Sequence, residues 1–314
     1  MTHADTQLAR GLAITAFVLA GAGCVRTSLG ESGEWKPGTQ SHVVTVQGDE
    51  REYLLHVPAS RSRSRFGFLR RYPVVIALHG SGADGETIER QSALDSVSEA
   101  NGWLVAYPNG TTGPLGVGSD WNAGTCCGIA ARNSVNDVQF ILAIIDSLAS
   151  RLPINRRRVY VTGFSDGARM AYHLACDASA SIAAVGIVSG SLRDPKCAPG
   201  RPVPLIAFHG TGDDEVSYNE RPTTVFRQSP DTLSALPPSV QLWASDNGCS
   251  GLRQARATKD VTHYFFATCK AAVELYSVAG GGHGWPGEPD GAGADPPMSE
   301  ISATELMVQF FNRN

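Results

Sequence analysis

The chain has 314 residues, 42% of them hydrophobic, with 26 Lys or Arg against 30 Asp or Glu and a formal net charge of −4. That balance gives no footing for a nucleic-acid partner, and the length allows one large or two modest domains with a sizeable core. No internal repeat or low-complexity tract is present.

In chain order, Arg10 precedes the apolar stretch from Gly11 to Gly23, which is too short to span a bilayer as a helix. A charged residue, a short apolar core and small residues describe a secretory signal over 1–23. Cys24 follows Gly21-Ala22-Gly23 and resembles a lipobox, with Gly21 where a branched residue is usual. Lipidation of Cys24 is one expectation and a plain signal peptide the other. Residues 24–40 read as a tether, leaving 41–314 as the folded domain.

His42 to Val46 and Tyr53 to Val57 flank Gly48-Asp49, a hairpin signal. Arg61, Arg63, Arg65, Arg70 and Arg71 form a basic cluster that reads as a solvated loop. Pro73 to His79 is a continuous apolar run, as expected for a central strand buried on both faces. A helix from about Glu86 to Ala100 and a strand from Trp103 to Tyr107 follow. Val138 to Leu148 has apolar residues at helical spacing, and Pro153 ends that helix before a strand over Val159 to Val161. Ile182 to Val188 and Val203 to Phe208 add two buried strands. A helix near Ser239, strands at Thr262 to Phe266 and Val273 to Val278, and a last helix from Ser299 to Phe311 complete the chain. This alternation predicts an α/β fold: a mostly parallel, doubly wound sheet with helices on both faces and an antiparallel hairpin at one edge.

The strand Val159-Tyr160-Val161 climbs into Gly163-Phe164-Ser165-Asp166-Gly167, and helix-forming residues follow from Ala168. Strand, G-x-S-x-G and helix in that order are what a nucleophile elbow needs, because the new helix points free N–H groups at a forming oxyanion. A serine hydroxyl needs a base, and the base an orienting carboxylate. After the strand ending at Phe208 come His209, Asp213, Asp214 and Glu215; after the strand ending at Val278 comes His283 in a glycine loop. Ser165, an acid and His283 thus follow in the order of an α/β-hydrolase triad, with Asp213 the first choice of acid and Asp214 the second. His209 reads as a strand-end residue supporting the loop. The oxyanion hole is expected from the amides of Asp166 and Ser81, the latter in His79-Gly80-Ser81-Gly82. Trp121 and Trp285 are candidates to line the substrate pocket.

Setting Cys24 aside leaves Cys126, Cys127, Cys176, Cys197, Cys249 and Cys269, an even set that fits disulfides in an exported chain. Cys176–Cys197 and Cys249–Cys269 are favoured because each closes a loop of about 20 residues. Cys126 and Cys127 remain as a vicinal disulfide or as free thiols. No C-x-x-C zinc spacing occurs, so no metal is expected.

Leu78-His79-Gly80, Trp121 to Gly128 with its Cys-Cys pair, Gly163 to Gly167, His209-Gly210-Thr211 with Asp213, and Gly281 to Gly287 together resemble the esterase/polyhydroxybutyrate depolymerase family, whose relatives include feruloyl and acetylxylan esterases and LpqC-type lipoproteins. The resemblance covers roughly 40–314. It implies an exported or envelope-anchored α/β-hydrolase that cleaves carboxylic esters without a cofactor, and it places the acid at Asp213. Asp166 and Arg169 depart from the family pattern, which carries Asn or Ala and a small or apolar residue there, and this bears on substrate identity. Small or oligomeric esters are expected, either feruloyl or acetyl sugar esters or hydroxybutyrate oligomers. A depolymerase of solid polyester and a non-catalytic surface binding protein are the alternatives. A monomer is expected, touching a membrane only through an N-terminal lipid.

Overall fold

The computed structural model describes residues 35–59, 71–113, 118–194, 196–220, 233–288 and 301–314. The expected signal segment, Cys24, most of the tether and all of the arginine cluster except Arg71 lie outside the described residues.

The first two strands, β1 (Gly38–Val46) and β2 (Asp49–Val57), form the expected hairpin, with β1 starting inside the stretch read as tether. There follow β3 (Tyr72–Leu78), helices α1 (Gly85–Ser92) and α2 (Leu94–Asn101), and β4 (Leu104–Pro108). Two short strands, β5 (Thr111–Thr112) and β6 (Ser119–Asp120), pair with each other ahead of α3 (Gly128–Arg132). Then come α4 (Asp137–Arg151), β7 (Ile154–Phe164), α5 (Asp166–Asp177), β8 (Ala184–Val188) and β9 (Leu205–Gly210). The chain closes with α6 (Pro238–Asp246), β10 (Ser250–Arg256), β11 (Val261–Thr268), β12 (Val273–Val278) and α7 (Ala303–Arg313).

Among the described residues, ten strands make one sheet in the order β1-β2-β4-β3-β7-β8-β9-β12-β11-β10. The six strands from β4 to β12 pair in parallel, and antiparallel pairs continue the sheet at both edges. This is the α/β-hydrolase arrangement expected from the sequence, widened by β10 and β11.

The parallel strands are buried because both faces are covered. In β3, Val74, Ile76 and Leu78 join a core with Phe140 and Ile144 of α4, Tyr172 of α5 and Trp243 of α6. Val75 and Ala77 face the other side, with Ile88, Leu94 and the Met307, Phe310 and Phe311 cluster of α7. Each fully buried Val, Ile or Phe contributes roughly 1.5–3 kcal/mol relative to exposure, so both layers hold the sheet. Side-chain caps fix the helix starts: Asp84 accepts from the Thr87 amide at 2.8 Å, Asn136 from Gln139 at 3.0 Å, and Ser302 from Glu305 at 3.2 Å.

The single helix expected over Glu86–Ala100 is two helices. Ala93 adopts a left-handed conformation with φ 49°, which breaks the helix and turns α2. Among the described residues, no helix is long and apolar enough to cross a membrane.

Candidate active site

Strand β7 delivers Ser165 to the carboxyl edge of the sheet, and Ser165 itself makes the sharp turn, with φ 55° and ψ −116°. A non-glycine residue with positive φ carries backbone strain, which the surroundings must hold in place. They do so through hydrogen bonds: the Ser165 amide donates to Val188 O at 3.0 Å, and Ser165 O accepts from the Ala168 and Arg169 amides at 3.0 and 3.1 Å. The flanking glycines therefore serve close approach. A methyl on Gly163 would overlap the backbone of Gly167, and one on Gly167 would overlap the Leu78 carbonyl.

Asp213 follows β9 and His283 follows β12, neighbouring strands on the same edge. His283 Nδ1 lies 2.9 Å from Asp213 Oδ2 and 3.0 Å from Oδ1, and both side chains are buried. An Nδ1–H donated to Asp213 leaves Nε2 as the basic nitrogen. The imidazole ring packs 4.7 Å from the ring of Phe164, the residue before the serine. Asp213 also accepts from the Val216 amide at 2.8 Å, and His209 Nε2 stands 3.3 Å from its Oδ2. Burial opposes ionisation of Asp213, but these bonds from His209, His283 and Val216 outweigh it and hold the carboxyl well below the usual carboxylate range. Asp214 is exposed, on the same turn. Glu215 places an exposed carboxylate 3.7 Å from His283 Nε2.

The loops bearing these groups are tied together. Thr211 N donates to Val278 O and Gly212 N to Gly281 O, each at 2.9 Å, while Ser189 Oγ donates to Gly284 O at 3.2 Å.

On the other side of the elbow runs His79-Gly80-Ser81-Gly82. A methyl on Gly80 would stand 3.4 Å from Ser165 Cβ, so this loop abuts the serine. His79 is buried, and burial lowers its pKa. In the neutral ring Nδ1–H donates to Gly80 O at 2.7 Å and Nε2 accepts from the Gly110 amide at 2.9 Å. The Gly82 amide is engaged by Ser119 O at 2.9 Å, and Ser81 Oγ donates to Asp120 at 2.8 Å, which fixes the main chain at Gly80 and Ser81. The bracing role of His79 was legible only as part of the Leu-His-Gly motif.

Two sequence expectations are corrected. Trp121 is fully buried and donates its indole N–H to His79 O at 2.9 Å; Trp285 is 2% exposed and donates to Thr304 Oγ1 at 3.0 Å. Neither offers a face to a ligand: Trp121 is packed beneath the His79 loop, and Trp285 is packed in the core shared with helix α7. The cysteines pair as Cys126–Cys127, Cys176–Cys197 and Cys249–Cys269. The first pair is the vicinal disulfide, across a cis peptide bond.

An open groove of about 460 Å³ borders the loop after β3 at Gly82 and Ala83 and is lined by Glu50, Glu52, Asp84, Asn109, Thr111 and Ser119. Ser165, Asp213 and His283 are not among its walls. Among the described residues, one group could meet a metal ion, His56 with Glu89 and Asp95. Both His56 nitrogens are engaged there, Nδ1 with Asp95 at 3.1 Å and Nε2 with Glu99 at 3.2 Å, so the group is an ion-pair cluster.

Residues 53–197 match the family described as Esterase PHB depolymerase. The chain is 31% identical over 222 residues to feruloyl esterase B of Piromyces equi, covering 67% of this chain and 39% of that protein. It is 24% identical over 245 residues to feruloyl esterase C of Emericella nidulans, covering 75% of this chain and 77% of the relative. Among solved structures, the acetyl xylan esterase from Aspergillus awamori matches with a TM-score of 0.60 at 16% identity, over 88% of this chain and 100% of that one, a likeness of fold.

Proposed function

Because the chain belongs to the esterase PHB depolymerase family, we propose that it is an exported serine esterase working through Ser165, His283 and Asp213. The observation that carries this reading is the bond of His283 to Asp213, at the same sheet edge as a strained serine elbow. In this reading Ser165 Oγ attacks the ester carbonyl and its proton passes to His283 Nε2, while Asp213 holds the ring and balances the imidazolium. The Asp166 and Ser81 amides receive the oxyanion, each such donor contributing about 3–4 kcal/mol to the transition state. The proton then goes to the departing alcohol, leaving an acyl-enzyme that water hydrolyses by the reverse route.

The substrate class we favour is an ester of a hydroxyl-rich alcohol. The groove beside the oxyanion loop offers carboxylates, an amide and hydroxyls, which suit sugar hydroxyls. A hydroxybutyrate oligomer would bring its own carboxylate towards Glu50, Glu52 and Asp84, at a Coulombic cost. The names of the relatives, feruloyl and acetyl xylan esterases, point the same way. Three disulfides among the described residues support an oxidising compartment. Lipidation at Cys24 and a monomeric state complete the proposal.

A panel of methyl ferulate, acetylated xylan and hydroxybutyrate oligomers tests the substrate reading. Faster turnover of a ferulate or acetyl ester is expected. Faster turnover of the oligomers would move the assignment to polyester cleavage, and no turnover of any ester would favour the binding-protein alternative.

A further inference from the structure

The residue after the serine carries a charge that should hinder the reaction its own amide assists. Asp166 is buried in the first turn of α5, and its carboxylate hangs from the residue whose N–H faces the forming oxyanion. A carboxylate at a helix N-terminus suits the helix dipole. A negative charge near a developing oxyanion nevertheless opposes it: by Coulomb's law, at an assumed separation of about 5 Å and an effective dielectric of about 20, the penalty corresponds to roughly two orders of magnitude in rate.

Arg169 lies one turn along the same helix face and reaches back, with Nη1 2.6 Å from Asp166 Oδ1. Its Nη2 lies 3.3 Å from Glu220 Oε2. Glu220 is itself engaged by the Ser191 hydroxyl and the Arg193 guanidinium, so it has a counter-charge of its own. The four charges alternate in sign, Asp166, Arg169, Glu220 and Arg193. Arg169 makes a costly stabilising device, since its Nε–H is buried without an acceptor and buried ion pairs often add little to stability.

We propose that Arg169 is a charge-compensating positioning residue, which cancels the field of the Asp166 carboxylate at the oxyanion site. This accounts for both unusual residues beside the serine together: once Asp166 is present, a cation at the next turn is required. The inference rests on the esterase reading, with the Asp166 amide as an oxyanion donor.

The test is a charge cycle read by steady-state kinetics on a p-nitrophenyl ester. Arg169→Met is expected to lower kcat about 10- to 100-fold with little change in KM, since the lost interaction acts only in the transition state. Adding Asp166→Asn to Arg169→Met should recover about tenfold or more of that loss, and Arg169→Lys should retain most of the parent kcat. A double variant as slow as Arg169→Met would overturn the proposal, because it would mean that Arg169 serves only as a tie between α5 and the loop of Glu220. A Glu220→Gln variant as slow as Arg169→Met would do the same. If Arg169→Met does not accumulate as folded protein, Arg169→Gln with and without Asp166→Asn gives the same comparison. Failure of the esterase reading would look different: the parent protein itself would not turn over the ester, or Ser165→Ala would.

Discussion

The indole N–H of Trp121 donates to the main-chain carbonyl of His79 at 2.9 Å, joining the segment before the Cys126–Cys127 disulfide to the loop that abuts Ser165. This bond lies where strand β3 ends and the proposed oxyanion loop begins, so it acts on the placing of the Gly80 and Ser81 backbone. Trp121→Phe keeps the ring and removes the donor. Leaving a buried carbonyl short of its partner costs about 1–3 kcal/mol, with a further loss from the smaller ring. The variant is expected to melt several degrees lower and to lose kcat more than it raises KM. An unchanged melting temperature would show that the bond contributes nothing.

The two candidate acids separate cleanly. Asp213 is buried against His283, and Asp214 is exposed on the same turn. Asp213→Asn should lower kcat by about 10⁴-fold, as expected for a triad left with the wrong histidine tautomer, and Asp214→Asn should stay within a few-fold of the parent. The same residue affects stability. A carboxyl held below its usual range stabilises the fold above its unfolded value, about 3.9, and that contribution is lost as pH falls through the lower folded value. The stability gap between the parent and Asp213→Asn should therefore be constant from neutral pH to about 5 and shrink below about 4. Chemical denaturation across that range measures it.

His56 gives a dependence of opposite sign. It joins strand β2 to helix α2 through Asp95 and Glu99, with Thr39 and Glu89 beside the cluster. Burial lowers its pKa, but the carboxylates of Asp95 and Glu99 outweigh burial and raise it above the ordinary value. Stability from the charged ring is then full below about 6.5 and disappears as pH rises through the folded value. His56→Gln should be less stable than the parent at pH 5.5 and converge on it at high pH. A gap that does not depend on pH would remove the ion pairs as its cause.

How far the sequence reaches is clearest at the site. Ser165, Asp213 and His283 each follow an apolar strand in the sequence, and the sheet brings those strand ends to one edge. The disulfides Cys176–Cys197 and Cys249–Cys269 were readable from loop length. Other features left no local mark. Ala93 breaks a helix although alanine favours one, because packing of α1 and α2 overrides its propensity. Strand β10 reads Ser-Gly-Leu-Arg-Gln-Ala-Arg and is mostly exposed, so it lacks the apolar alternation that reveals a strand. Trp121 and Trp285 stood in the right motifs, yet an indole under a loop and an indole facing a substrate look alike in sequence. The elbow glycines were legible as a pattern, but their reason is close approach to Leu78 and to each other, since Ser165 itself takes the unusual φ.

The most direct measurement is active-site labelling of Ser165. Treated with a fluorophosphonate, the folded protein should gain one adduct, located by peptide mass at Ser165. Ser165→Ala should take up none and should lose hydrolysis of short p-nitrophenyl esters while keeping its circular dichroism and melting temperature. Hydrolysis retained by folded Ser165→Ala, or an adduct on another residue, would contradict the account.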